Sequence, residues 1–114
     1  AERPQIDARV SAMRQTQKYE DLVAQGQQAL KEQKWTVAMD RFRQAKTTME
    51  TEEVVRLIAL TRYSENLARG KAAMDQGEYK SALGYFNLAK GFLDTEEVNN
   101  LIAEAKAHGG GSGP

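Results

Sequence analysis

The sequence predicts an all-α fold: two helical hairpins with elongated first helices, followed by a C-terminal capping helix. Three observations predict it. The chain repeats itself with a period of 44 residues. Apolar residues recur at steps of three and four, the period of a helix buried on one side. The two prolines are Pro4 and Pro114, so no proline interrupts the chain between them.

The repeat carries most of the weight. Residues 19–62 align with residues 63–106 without a gap, and 15 of the 44 positions are identical. The matches include Tyr19/Tyr63, Gly26/Gly70, Ala38/Ala82, Phe42/Phe86, Ala45/Ala89, and Thr51-Glu52-Glu53-Val54 with Thr95-Glu96-Glu97-Val98. Conservative pairs such as Val23/Leu67, Trp35/Tyr79 and Met49/Leu93 lie between them. Residues 5–18 form an N-terminal half-copy, in which Val10 matches Val54 and Met13 matches Leu57. One helical domain is expected over residues 1–108. Residues 109–114 have the Gly/Ser composition of a flexible linker or appended tail. The chain opens at Ala1 without a methionine, which reads as an excised fragment or, as the alternative, a processed product.

The elements follow in order. A first long helix is expected from about Gln5 to Gln33, with Val23, Gly26 and Leu30 on its inner stripe. The turn at Gln33-Lys34 lacks a glycine and should be less well capped than its counterpart at Gly77. A second helix places Ala38, Phe42, Ala45 and Met49 on one side. Thr51 is a good N-cap, because a threonine oxygen can accept an orphan backbone N–H, and the two glutamates after it suit a helix N-terminus. From Glu52 to Gln76 there is one glycine and no proline, which reads as a single helix of about 25 residues, roughly 38 Å long. The alternative is a break near Arg62-Tyr63. Gly77 caps that element and Tyr79 opens the next, whose stripe is Ala82, Phe86, Ala89 and Leu93, ended by Asp94-Thr95. Thr95 then starts the last helix.

The segment that follows each threonine is most apolar in its middle copy. Val55, Ile58 and Leu60 become Ser11, Arg14 and Thr16 in the N-terminal half-copy, and Asn99 and Glu104 stand for Val55 and Leu60 at the C-terminal end. A stack of repeats predicts that gradient, since terminal units face water.

These residues resemble the tetratricopeptide repeat family, whose signature couples a glycine in the first helix to an Ala-x-x-x-Phe step in the second. Gly26 precedes Ala38-x-x-x-Phe42 and Ala45; Gly70 precedes Ala82-x-x-x-Phe86 and Ala89. The sequence departs from the family pattern at Leu22 and Asn66, where a large aromatic is usual, and at Glu50 and Asp94, where a proline is usual. The family period of 34 becomes 44 through residues 53–62, which lengthen the first helix. The resemblance implies an α-solenoid that serves as a protein–protein interaction scaffold for a peptide or helix of a partner.

Carried over position by position, the resemblance implies a partner-facing row of Glu20, Val23, Gln27, Leu30 and Lys31 in the first copy. The second copy would contribute Ser64, Leu67, Lys71, Met74 and Asp75. Relatives that grip the carboxylate tails of heat-shock chaperones use lysine and asparagine at matched sites. Here those sites include Val23, Gln27, Leu67 and Lys71, with one cation among them, so that role is not expected. The alternatives are a self-association module forming a homodimer, or a regulatory or spacing domain of a larger protein. Two full repeats bury less than the three usually needed.

Composition excludes several classes. Lys+Arg and Asp+Glu are both 16 and are spread over both halves of the chain, which does not suggest a nucleic-acid binder. There is no cysteine, hence no disulfide scaffold, thiolate metal site or cysteine nucleophile. That usage fits the cytoplasm and a bacterial periplasm alike; the cytoplasm is the expected compartment and the periplasm the alternative. No apolar run approaches the about 20 residues of a membrane span.

The single histidine, His108, sits beside the glycine tail, where nothing would hold a catalytic base within reach of a nucleophile. The Glu52-Glu53 and Glu96-Glu97 pairs read as charge at helix N-termini and not as a metal site. No glycine-rich phosphate loop is present, so neither an enzyme nor a cofactor is expected. Met13, Met39, Met49 and Met74 fall on helix stripes and read as core, and Trp35 and Tyr79 as hairpin packing.

Overall fold

The computed structural model describes residues 3–109, with side chains from Ile6 onward. It contains five α-helices, and no strand occurs among the described residues: α1 (Arg3–Lys31), α2 (Trp35–Thr48), α3 (Glu52–Asp75), α4 (Tyr79–Phe92) and α5 (Glu96–Ala107). Residues 110–114, most of the expected linker, lie outside the described residues. The chain divides into two compact units, with the boundary inside α3 between Ile58 and Ala59. Helix α3 nevertheless runs unbroken for 24 residues, so the break considered near Arg62-Tyr63 does not occur.

In the first unit α1 and α2 pair as a helical hairpin, and the start of α3 completes the core. Tyr19, Leu22, Val23, Ala29, Ala38, Phe42, Ala45 and Val54 form the buried cluster, with Leu30, Met49, Leu57 and Ile58 packed against it. At its centre the Phe42 ring packs against Gly26. A Cβ added to Gly26 would come within 2.6 Å of the ring's Cδ1, closer than real side chains approach. The sequence therefore needs glycine there because the ring occupies the methyl's place.

The second unit repeats the arrangement. Tyr63, Leu67, Ala73, Ala82, Phe86, Ala89, Val98, Ile102 and Ala105 form its buried cluster. Phe86 covers Gly70, where an added Cβ would sit 2.5 Å from Cδ1 of the ring. The units are not identical in their cores. Leu22 is buried, whereas its counterpart Asn66 is half-buried and donates from Nδ2 to the Arg62 carbonyl at 2.9 Å.

The two hairpin turns are built alike, although one has glycine and the other does not. At the end of α3, Gly77 adopts φ 74°, and its N–H donates to the Met74 carbonyl while that of Glu78 donates to Ala73. At the end of α1, Gln33 adopts φ 59°, its N–H donates to the Leu30 carbonyl at 3.0 Å, and that of Lys34 donates to Ala29 at 2.9 Å. Both are Schellman closures. The expected weakness at Gln33 is thus not a missing cap. It is a left-handed conformation adopted by a residue with a Cβ. Beside this turn, the hydrogen bond from Gln28 and the ammonium of Lys34 hold the Glu32 carboxyl below its usual range.

Both threonine caps form. Thr51 Oγ1 accepts from the Val54 N–H and Thr95 Oγ1 from the Val98 N–H, each at 3.1 Å. Each cap is also tied to the tyrosine that opens its own copy: the Tyr19 hydroxyl lies 2.5 Å from Thr51 Oγ1, and the Tyr63 hydroxyl 2.7 Å from Thr95 Oγ1. Repeat matching identified all four residues separately; the structure pairs them.

Several expectations need correction. α2 and α4 end at Thr48 and Phe92, so Met49 and Leu93 are extended C-caps and not the last residues of a helical stripe. They still pack against the cores, as does Met74, and Met39 is buried. Met13 is the exception among the methionines. It is 70% exposed, because the stripe it belongs to meets no other residue of its unit's core. Trp35 and Tyr79 are half-buried at the starts of α2 and α4, with Tyr79 stacked on His108 at 4.9 Å between ring centroids.

Candidate interaction surface

The ten residues of the expected partner-facing row fall into two groups. Val23 and Leu67 are members of the buried clusters, and Leu30 and Met74 pack against them from half-buried positions. Those four hold the hairpins together. Glu20, Gln27 and Lys31 are exposed on α1, and Lys71 and Asp75 on α3, with Ser64 half-buried. Steps of seven and four place Glu20, Gln27 and Lys31 on one side of their helix, and Ser64, Lys71 and Asp75 likewise. Each hairpin therefore presents a polar row from its first helix, backed by an apolar residue that anchors it.

The two rows carry different chemistry. The first is an acid, an amide and a cation. In the second, Lys71 Nζ donates to Glu97 Oε2 at 2.9 Å, both side chains about half exposed. An exposed pair of this kind adds little stability, so Lys71 can exchange Glu97 for another acceptor at small cost. Glu97 thereby has a second role beside the N-terminal charge expected of it. The other acidic residues of these pairs, Glu52, Glu53 and Glu96, are exposed in the first turns of α3 and α5. His108 is exposed and caps α5, its N–H donating to the Glu104 carbonyl.

Sequence reasoning missed one surface. Every residue from Ile6 to Lys18 is exposed, and within that stretch Ile6, Val10 and Met13 lie at i, i+4 and i+7. Their spacing was visible, but spacing alone does not distinguish a stripe that meets a core from one that does not. A shallow cavity of about 320 Å³ lies against Ala12, Met13, Thr16, Gln17 and Glu20. It joins this stripe to the start of the polar row.

No protein-family model, curated protein or solved structure matches the chain. No helix is long and apolar enough to cross a membrane among the described residues. Nor, among them, does any group of three or more His, Cys, Asp or Glu side chains gather where a metal could bind.

Proposed function

We propose that the chain is a protein-binding module and not an enzyme: a tetratricopeptide-like solenoid that holds a peptide or helix of a partner against the first helices of its hairpins. The observation that carries this reading is the duplicated Gly–Phe crossing. Gly26 under Phe42 and Gly70 under Phe86 repeat one packing solution 44 residues apart. Duplicating a hairpin repeats the placement of its first helix along with its core, which is how repeat proteins build extended binding surfaces.

From Leu57 to Ala68 no residue is exposed, whereas in the matching stretch of α1, residues 13–24, only Tyr19, Leu22 and Val23 are buried. The contact residues under this reading are Glu20, Gln27 and Lys31 with Ser64, Lys71 and Asp75. Val23, Leu30, Leu67 and Met74 set their positions from beneath. Mixed charge on these rows suits a partner carrying both polar and apolar side chains.

The test is selection of displayed peptides against the whole chain, followed by the double substitutions Gln27→Glu/Lys31→Glu and Lys71→Glu/Asp75→Lys. Selected peptides should lose about tenfold or more in affinity on at least one of these variants. Peptides that bind all variants equally would remove the first-helix face from consideration. Failure to select any peptide would remove the scaffold reading itself.

A further inference from the structure

We propose that the N-terminal half of α1 is a docking arm for an acidic amphipathic helix belonging to another protein. The arm begins where α2 stops accompanying α1. Helix α2 ends at Thr48, whose carbonyl accepts from Gln15 Nε2 at 2.6 Å. The helix continues past that point to Arg3, with every described side chain from Ile6 to Lys18 in solvent. Ile6, Val10 and Met13, at 53%, 38% and 70% exposure, form one apolar stripe along it. A projecting helix of this length gains little from its own hydrogen bonds, and an apolar stripe left in water favours a partner.

The repeat says what such a stripe is for. In register, Val10 corresponds to Val54 and Val98, both fully buried, and Met13 to Leu57 and Leu101, both packed on the cores. The chain thus uses this segment twice as a docking element, and the arm is a third copy with its docking side open.

Charge specifies the partner. Arg9 stands where the other copies have Glu53 and Glu97, and Glu97 pairs with Lys71. The sign is reversed, so the arm calls for an acid where the internal copy meets a lysine. Arg9 and Arg14 flank the stripe, each about 70° from its centre on a helix of 3.6 residues per turn. Residues 6–18 carry three basic side chains, Arg9, Arg14 and Lys18, against Asp7 alone. A helix with a narrow apolar stripe and glutamates or aspartates on both edges complements this arrangement.

A second copy of the chain fits less well, since two arms would bring arginines to arginines. A hairpin of the chain's own type also fits less well. Arg14 and Gln17 replace Ile102 and Ala105, which are buried where α5 docks. A lipid surface is disfavoured by the three-residue stripe, which has no Trp, Phe or Leu.

The test is fluorescence anisotropy of the full chain with two synthetic amphipathic helices of about 20 residues, identical in their leucine stripe but flanked by glutamates in one and lysines in the other. The glutamate helix should bind about tenfold or more tightly than its twin. Met13→Glu should abolish that binding with helicity unchanged, and Arg9→Glu/Arg14→Glu should reverse the preference. If Met13→Glu lowers helicity, Met13→Gln serves in its place.

Equal binding of the two helices, or binding unaffected by the Met13 variants, overturns the proposal. Two other results overturn it by naming a different occupant. One is a dimer of the unmodified chain, seen by sedimentation and lost in the Met13 variant. The other is binding to phosphatidylserine-containing vesicles, lost in the same variant, without binding to either peptide. Substitutions at Gln27 and Lys71 leave this arm intact, so failure here and failure of the first-helix face are separate results.

Discussion

Val10 and Val54 occupy the same position of the repeat, yet Val10 is 38% exposed and Val54 is wholly buried. The residues around them tell the same story: Met13 is in solvent while Leu57 is packed, and Thr16 is exposed while Leu60 packs on the second core. Both segments are helical throughout. The difference lies in what precedes each one. Val54 follows a hairpin that offers Phe42 and Ala45 to it, and no such hairpin among the described residues stands before Val10. A repeat sequence therefore specifies the helix locally, but whether its stripe is buried depends on the neighbouring copy.

The largest effect tests the part both hairpins share. Phe42→Ala and Phe86→Ala should each cost about 3–5 kcal/mol in urea unfolding, because a fully buried ring is lost and a cavity is left over the glycine beneath. If either costs less than about 1 kcal/mol, the crossing does not hold that hairpin together and the two copies are not energetically equivalent.

The next prediction addresses the contrast directly. Leu60→Glu places a carboxylate against the second core and should cost about 2 kcal/mol or more, from lost apolar burial and poor solvation of the charge. Thr16→Glu, the same substitution one repeat earlier, should stay within about 0.5 kcal/mol of the parent, as exposed changes usually do. Equal effects at the two sites would mean that the arm is covered in solution.

Much of this architecture was legible in advance. The glycine, alanine and phenylalanine spacing located both cores, and the threonine-glutamate runs located both caps, because those roles demand particular residue types. What was not legible follows from the same physics. Met13 read as core because the 3.6-residue period reports amphipathicity and not occupancy. Val23 and Leu67 read as partner-facing by family position, yet they lie in the buried clusters, and at the level of sequence a core-facing and a partner-facing apolar residue look alike. The Tyr63–Thr95 bond joins residues 32 apart, a distance no local pattern encodes.

That bond supplies a smaller test. Thr95→Ala removes both the cap of α5 and the acceptor or donor facing Tyr63, and should cost about 1 kcal/mol, near the usual value of a threonine N-cap. Tyr63→Phe keeps the cap and removes only the link, so it should cost less. Thr51→Ala and Tyr19→Phe should behave in parallel in the first unit. A tyrosine variant that costs as much as its threonine partner would show that the hydroxyl pair, and not the cap, carries the energy.

The smallest effect concerns the two hairpin turns, and it has the opposite sign. Gln33 and Gly77 adopt the same left-handed conformation and close the same pair of hydrogen bonds, but only Gln33 carries a Cβ that this conformation crowds. Relief of that crowding is worth about 1–2 kcal/mol. Glycine also gives the unfolded chain more freedom, which returns about 0.4–1 kcal/mol of the gain. Taken at the middle of both ranges, the difference leaves Gln33→Gly stabilising by about 0.8 kcal/mol, a rise of a few degrees in Tm for a domain of this size. The side chain of Gln33 is exposed. Gly77→Ala should move stability the other way by a similar amount, since it introduces in the second turn what the first already tolerates. A chain that loses stability on Gln33→Gly would show that the turn between α1 and α2 is held by its side chain, and that the two hairpins close by different means despite their matching hydrogen bonds.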